Sequence, residues 1–350
     1  MAQRLKKLNS QVIVITGATS GIGLTTARMA ATRGAKVVLA ARNEEELKRV
    51  VSQIRAEGGK AIYVVADVAD TRAVQEIADR AIEEFGGFDT WVNNAGISIY
   101  GKLTEVPMDE KKRLFDVNFW GVVNGCRSAV KHLRDRGGSI INLGSILSER
   151  VIPIQGMYSA SKHAVKAYTD ALRMELEEEG LPISVTLIKP SGINTPYTEH
   201  ARNHREDFPS LPPPVYAPEV VARAILSCAE HPMRDVIIGG GGKVFSWMEK
   251  WIPGLTDKMM ERTLPGAQKT RHRPDGQHEN LFSPPAREGK SHGDYPGHVM
   301  KSSLYTSSVL HPFATFAIVA GLGTLVFAWS RLKREEDDWT LRTSNRFNAA

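Results

Sequence analysis

The chain has 350 residues, of which 42% are hydrophobic, 24% charged and 7% aromatic. That is ordinary globular composition, which excludes a globally disordered chain and a fibrous repeat. Two cysteines, Cys126 and Cys228, are too few for a disulfide framework, and with no CxxC pair they suggest no metal site. The formal charge of +6 comes without a long lysine/arginine block. Nucleic acid is therefore a poor partner, whereas anionic small molecules or a membrane surface fit better.

The N-terminus, MAQRLKKLNS, is basic, but the apolar run after it, Val12–Ile15, spans only four residues and leads into a glycine-rich motif. A cleaved signal is not expected. Short runs rich in valine and isoleucine then recur at Lys36–Ala40, Ala61–Val65, Thr90–Val92, Ser139–Leu143, Ile183–Ile188 and Asp235–Ile238. They are nearly continuously apolar, as strands buried on both faces should be. Stretches with helical period lie between them, including Glu44–Ala56 and Val74–Phe85. Alternation of this kind predicts an α/β fold, a doubly wound parallel sheet of Rossmann type, over residues 1–242.

Beyond it the pattern changes. Residues 243–280 form an amphipathic and basic extension, in which Trp247, Met248, Trp251, Ile252 and Met259 offer either a packing face or an interfacial surface. Pro253-Gly254 divides the run into two short helices. Residues 281–312 are rich in Pro, Gly and Ser and read as a poorly ordered linker. Residues 313–330, FATFAIVAGLGTLVFAWS, carry no charge and just reach the length of a transmembrane helix. Residues 331–350 form a charged tail.

The first strand runs into Thr16-Gly-Ala-Thr-Ser-Gly-Ile-Gly23. Gly17, Gly21 and Gly23 allow a tight turn and close approach of backbone to a ligand. Thr19, Ser20 and Ile22 complete a loop that opens a helix, whose free N–H groups and positive dipole end suit a pyrophosphate. The second strand ends at Ala40-Ala41-Arg42, with no acid to bind the ribose 2′-hydroxyl of NAD before Glu44. Arg42 would meet a 2′-phosphate, favouring NADP(H) over NAD(H), or else it is a solvated residue at the helix entrance. Tyr158 and Lys162 are four apart and share a helix face, where an ammonium would draw the phenol toward ionisation at working pH. Ser145 follows the Ser139–Leu143 strand, at the carboxyl edge where such sheets bind ligands.

Thr16–Gly23, Asn93-Asn94-Ala95-Gly96, Ser145 and Tyr158-Ser-Ala-Ser-Lys162, in this order, resemble the single-domain short-chain dehydrogenase/reductase family over about residues 8 to 240. The resemblance implies an oxidoreductase that moves a hydride between a nicotinamide cofactor and a carbonyl/alcohol pair. It makes Tyr158 the general acid/base, Lys162 its activator and a ribose ligand, and Ser145 the substrate-orienting hydroxyl. Asn118 would hold a water in the proton relay. Asn94, Ala95 and Gly96 would lie below the cofactor, Asp67 with Val68 against the adenine, and Pro190, Ile193 and Thr195 near the nicotinamide amide. Ser191 stands where the family commonly has glycine, and Asp70 is the expected cap of the helix that follows Asp67.

The segment from Tyr197 to Pro214 occupies the place of the family's substrate lid and predicts a mobile flap without regular structure. A membrane segment near the active site favours a hydrophobic small-molecule substrate, with the lipid bilayer as a partner and the catalytic domain facing the cytoplasm. The resemblance also implies a homo-oligomer. The alternative to an enzyme, a non-catalytic NADP(H)-binding sensor or scaffold at a membrane, is disfavoured because Asn118, Ser145, Tyr158 and Lys162 are all present.

Overall fold

In the computed structural model the described residues are 5–240, 251–270, 279–285, 289–313, 315–317, 320–321, 324 and 329. Seven parallel strands build the central sheet: β1 Val12–Thr16, β2 Lys36–Ala41, β3 Lys60–Val65, β4 Thr90–Asn93, β5 Gly138–Leu143, β6 Ile183–Pro190 and β7 Asp235–Ile238. Their order across the sheet is β7-β6-β5-β4-β1-β2-β3. β1 thus lies between β2 and β4, and the chain switches direction of winding there, opening a crevice at the carboxyl ends of β1 and β4. The expected strands agree in position with these seven, because every residue of β1, β4, β5 and β6 is buried and the sequence records that as nearly continuous apolar runs.

Helices α1 Gly21–Thr32, α2 Glu44–Ala56, α3 Thr71–Phe85, α4 Met108–Phe115, α5 Gly121–Leu133, α6 Gly156–Glu178 and α7 Pro218–Glu230 flank the sheet. Asn43 caps α2 by accepting from the Glu46 N–H, and Asp70 caps α3 by accepting from Arg72. Gly86 closes α3 in the left-handed region. Between α4 and α5 lies a π-helical turn, Asp116–Trp120, a form of local widening that concentrates at functional sites.

A polar thread runs through the core. The Trp91 indole N–H donates to Asn93 Oδ1 at 2.7 Å, Asn93 Nδ2 to Asn142 Oδ1 at 2.8 Å, and Asn142 Nδ2 to Thr169 Oγ1 at 3.0 Å. These bonds tie β4, β5 and α6 together without leaving their buried amides unsatisfied. Cys126 and Cys228 are both buried, and burial pushes each thiol up to about 12, so they behave as small apolar groups.

Past β7 the structure departs from the expectation. Helix α8 spans Pro253–Ala267, while Trp247 and Met248 lie outside the described residues. Trp251 and Leu255 are exposed, and Met260 is buried with Leu147 and Ile152. The stretch expected to be a loose linker is instead fitted to the body over its described parts. Leu281 is buried in the main core, and Val299–Met300 pairs in parallel with Val215–Tyr216. Its proline and glycine content sets local backbone freedom, and long-range partners override it. The flap is also more regular than expected: Tyr197–His200 is helical, Arg202–Asn203 pairs with Ile99–Tyr100, and Phe208–Pro209 with Lys269–Thr270. Residues 307 onward form a separate unit. The expected transmembrane helix over 313–330 is not shown: no helix among the described residues is long and apolar enough to cross a membrane, and much of 313–330, like the tail 331–350, lies outside them.

A Cβ at Gly125 would approach Trp91 Nε1 to 2.7 Å and press on the Asn93 side chain. Gly125→Ala is therefore expected to lower unfolding free energy by about 1–3 kcal/mol, read as a smaller denaturant midpoint; an unchanged midpoint would show that the polar thread relaxes freely.

Candidate active site

The turn after β1 is locked to the turn after β4. The Thr16 hydroxyl accepts the backbone N–H groups of Asn94 and Ala95 at 3.0 and 3.1 Å. The Asn94 amide donates back to the carbonyls of Thr16 and Gly17, at 2.9 and 3.1 Å. Gly17 and Gly21 adopt positive φ, and a side chain on Gly23 would collide with the Gly17 carbonyl and the Asn94 amide. With Ser20 as N-cap, the N–H groups of Ile22 and Gly23 have no intrahelical partner by position. This is the donor set that a diphosphate requires, and the glycines leave it room.

The crevice continues as a cleft of about 970 Å³, lined by Gly17, Thr19, Ser20, Gly21, Ile22, Arg42, Asp67, Val68, Asn94, Ala95, Gly96 and Thr195. The expected nucleotide-binding residues are thus brought together. Arg42 and Asp67 stand at the carboxyl ends of the neighbouring strands β2 and β3. Asp67 is ion-paired with Arg113 of α4 and accepts the Ala69 N–H at 3.0 Å. The Arg113 contact was not foreseen, since nothing in local spacing links α4 to the end of β3.

A second cavity, of about 900 Å³, holds Ser145, Tyr158 and Lys162 with Pro190 and Ile193. It shares Ile22, Asn94, Gly96 and Thr195 with the nucleotide cleft, so the two spaces adjoin. Ser145 caps a short turn, its Oγ accepting the Leu147 N–H at 3.1 Å, and it hydrogen-bonds Tyr158. Lys162 Nζ donates to the Leu143 carbonyl at 2.8 Å and lies 5.7 Å from the Tyr158 ring centre. Burial draws its pKa down to about 8. The expectation that Lys162 lowers the Tyr158 pKa is corrected here: burial dominates and raises it, while hydrogen bonds from Tyr197 and Ser145 oppose that rise.

Asn118 and Gly23 line neither cavity. From the π-turn the Asn118 carboxamide bonds both main-chain groups of Ile97, at 2.8 and 3.0 Å, and donates to Ser161 Oγ at 3.2 Å. Ser161 in turn donates to the Tyr158 carbonyl at 2.7 Å. Its visible part is to brace the helix that carries Tyr158. Ser191, in place of the glycine, uses its hydroxyl to bond the Ile238 carbonyl at 2.8 Å and so fixes the end of β6 to β7.

Three further features escaped the sequence. Tyr197 packs edge-on against Tyr158, with ring centres 5.6 Å apart, and its hydroxyl lies 2.7 Å from Ser98 Oγ. Arg202 and His204 of the flap are held by the buried Glu110. Asn280 and Pro284 of the C-terminal segment line the nucleotide cleft. The only hint of the last was the apolar pair Leu281-Phe282 within an otherwise polar stretch.

Residues 11–206 match the family model described as short chain dehydrogenase. The uncharacterized oxidoreductase YxnA of Bacillus subtilis is 45% identical over 334 residues, 95% of this chain and 93% of that protein. A 3beta-hydroxysteroid dehydrogenase 1 of Eggerthella lenta is 38% identical over 54% of this chain and 73% of its own. An alcohol dehydrogenase from Thermococcus sibiricus, complexed with 5-hydroxy-NADP, superposes with a TM-score of 0.58 at 25% identity, covering 65% of this chain and 95% of that one. A Burkholderia phymatum short chain dehydrogenase/reductase in complex with NAD gives 0.61 at 26% identity, covering 77% and 99%.

The lowered Lys162 pKa has a consequence for stability. Below about 8 both folded and unfolded chains hold this proton; between about 8 and the ordinary 10.5 the unfolded chain holds it more. Wild-type stability should therefore rise with pH through that window, by roughly 3 kcal/mol from this group. Lys162→Met should lose that slope and be the more stable protein at pH 7, measured by denaturant unfolding at pH 7, 8.5 and 10. Parallel pH curves for the two proteins would contradict it.

Proposed function

Because the chain belongs to the short-chain dehydrogenase family and is an oxidoreductase acting on CH–OH/C=O pairs, we propose that it is an NADP(H)-dependent enzyme for a hydrophobic carbonyl or alcohol. The observation that carries this reading is the meeting of Ser145, Tyr158 and Lys162 in a cavity that adjoins the nucleotide cleft bordered by Arg42. A nicotinamide held across the two adjoining spaces would supply or accept the hydride. In reduction the Tyr158 hydroxyl gives its proton to the carbonyl oxygen, and in oxidation the Tyr158 oxygen takes the proton of the alcohol. Ser145 holds the same substrate oxygen by a hydrogen bond. Lys162 stays protonated below about pH 8, with its Nζ fastened to the Leu143 carbonyl and 5.7 Å from the Tyr158 ring centre.

Arg42 supports NADP(H), since a guanidinium at the end of β2 suits a phosphate on the adenosine ribose. Leu147, Ile152 and Leu211 around the catalytic group support an apolar substrate, as does the likeness to a steroid dehydrogenase. Exposed Trp120 after Asn118 and exposed Met174 on α6 support assembly of copies through these helices. The uncharged run 313–330 and the exposed Trp251 and Leu255 support attachment to a bilayer, with the catalytic part on the cytoplasmic side.

The test is titration of the purified full chain with NADPH and NADH, followed by protein fluorescence. NADPH should bind more tightly, and Arg42→Ala should weaken NADPH about tenfold or more while sparing NADH. Tight NADH binding indifferent to Arg42 would overturn the cofactor reading. In a panel of ketones and aldehydes graded by hydrophobicity, turnover should favour the apolar members, and Tyr158→Phe should reduce it by about 10²–10⁴-fold.

A further inference from the structure

The phosphate loop, Thr16–Gly23, runs from the end of β1 into the start of α1. Here the described part of the C-terminal segment, 279–285 and 289–306, lies against that loop. Gly289 N–H donates to the Thr19 carbonyl at 3.0 Å, and Gly21 N–H donates to the Lys290 carbonyl at 2.9 Å. The Arg42 guanidinium donates to the Asn280 carbonyl. Asn43 Nδ2 donates to the Pro285 carbonyl at 3.2 Å, and Arg113, which also holds Asp67, donates to the Leu281 carbonyl at 3.0 Å. Five residues at or beside the nucleotide cleft, Thr19, Gly21, Arg42, Asn43 and Arg113, therefore bond main-chain groups of one distant segment.

The segment is anchored at both ends of this contact. Leu281 is 1% exposed. Downstream, Asp294 N–H donates to Glu199 at 3.0 Å, Val299–Met300 pairs with Val215–Tyr216, and Gly239 N–H donates to Thr306 Oγ1 at 3.1 Å. The contact leaves the cleft free, because Asn280 and Pro284 form part of its lining. The N–H of Ile22, which borders both cavities, remains for a diphosphate, whereas that of Gly21 is taken.

We propose that this segment is a wall of the cofactor site: it positions Arg42 toward the adenosine end of the cleft and must lift before the dinucleotide can leave. The proposal rests on the NADP(H) reading above and adds to it the residues that retain the cofactor. A wall of this kind acts mainly on release, because it adds contacts that must break before dissociation. It also fixes one rotamer of a flexible arginine, lowering the ordering cost of phosphate binding.

The experiment uses the full-length chain and stopped-flow displacement of bound NADPH. Two substitutions loosen the wall at different points. Gly289→Val puts a branched side chain at φ +90°, where a Cβ would also meet Arg49 and Glu46. Leu281→Asp places a charge in the core position that anchors the other side. Each variant is checked for folding by its unfolding midpoint, so a collapsed Leu281→Asp protein leaves Gly289→Val to decide. The expected result is NADPH release about tenfold faster or more in the folded variants, with the association rate little changed. Unchanged release overturns the proposal while leaving the cofactor reading intact, and tighter binding overturns it in favour of a segment that competes with cofactor. No binding of either dinucleotide to the wild-type chain overturns both readings. In the wild-type chain, saturating NADPH should slow hydrogen exchange of the amides at 280–281 and 289–293; faster exchange there would also overturn the proposal.

Discussion

The crevice exists because one threonine hydroxyl holds two chain turns at once. Thr16 Oγ1 accepts the N–H groups of both Asn94 and Ala95, and Asn94 returns two bonds to the carbonyls of Thr16 and Gly17. These contacts hold the carboxyl ends of β1 and β4 at a fixed separation. The spacing places the start of α1 where its first N–H groups face the cleft, and sets Gly96 between the nucleotide and catalytic cavities. Without it, the topological switch between β1 and β4 would provide a gap of no defined shape. The glycines serve the same closure, since a Cβ at Gly23 would occupy the space in which the Gly17 carbonyl and the Asn94 amide meet.

Ser145, Tyr158 and Lys162, the side chains proposed for catalysis, are held from behind by a second set of bonds. Asn118 binds the Ile97 main chain and Ser161, and Ser161 binds the Tyr158 carbonyl. Lys162 is fastened to the Leu143 carbonyl at the end of β5. Burial then acts in opposite directions on the two titratable groups, raising the phenol and lowering the ammonium. Both shifts favour the neutral forms, so the pair is poised to exchange charge only when a new charge or hydrogen-bonding group enters the cavity. Tyr197 and Ser98 extend the line of hydroxyls on the flap side and keep a polar path beside an otherwise apolar pocket.

The sheet was legible because burial on both faces leaves an unmistakable mark, a run such as Val12-Ile13-Val14-Ile15 with no polar interruption. The glycine turn after β1 and the meeting of Ser145, Tyr158 and Lys162 were legible because both follow from particular residue types at fixed local spacing. What escaped depends on contacts between distant residues. Arg113 reaches Asp67 from another helix, Glu110 gathers Arg202 and His204, and Leu281 fills a core position from within a stretch that composition marks as linker. The Tyr158 phenol follows the same logic: spacing reveals that an ammonium is near, whereas desolvation depends on everything packed around it. Composition describes how freely a segment bends and is silent about what it touches.

The contact between Arg42 and Asn280 also has a bearing on biosynthesis. The two residues are 238 positions apart in the chain. At about 5–20 residues per second, a ribosome needs on the order of ten seconds or more after making the first before it supplies the second. Throughout that interval the nascent sheet and phosphate loop lack the segment that covers them. Such long-range closure comes late in folding, since its loop-closure entropy is repaid only once both surfaces exist. The nucleotide cleft is thus started by β1 and β2 and completed only by a segment made 238 positions after Arg42, so its final shape is a late product of synthesis.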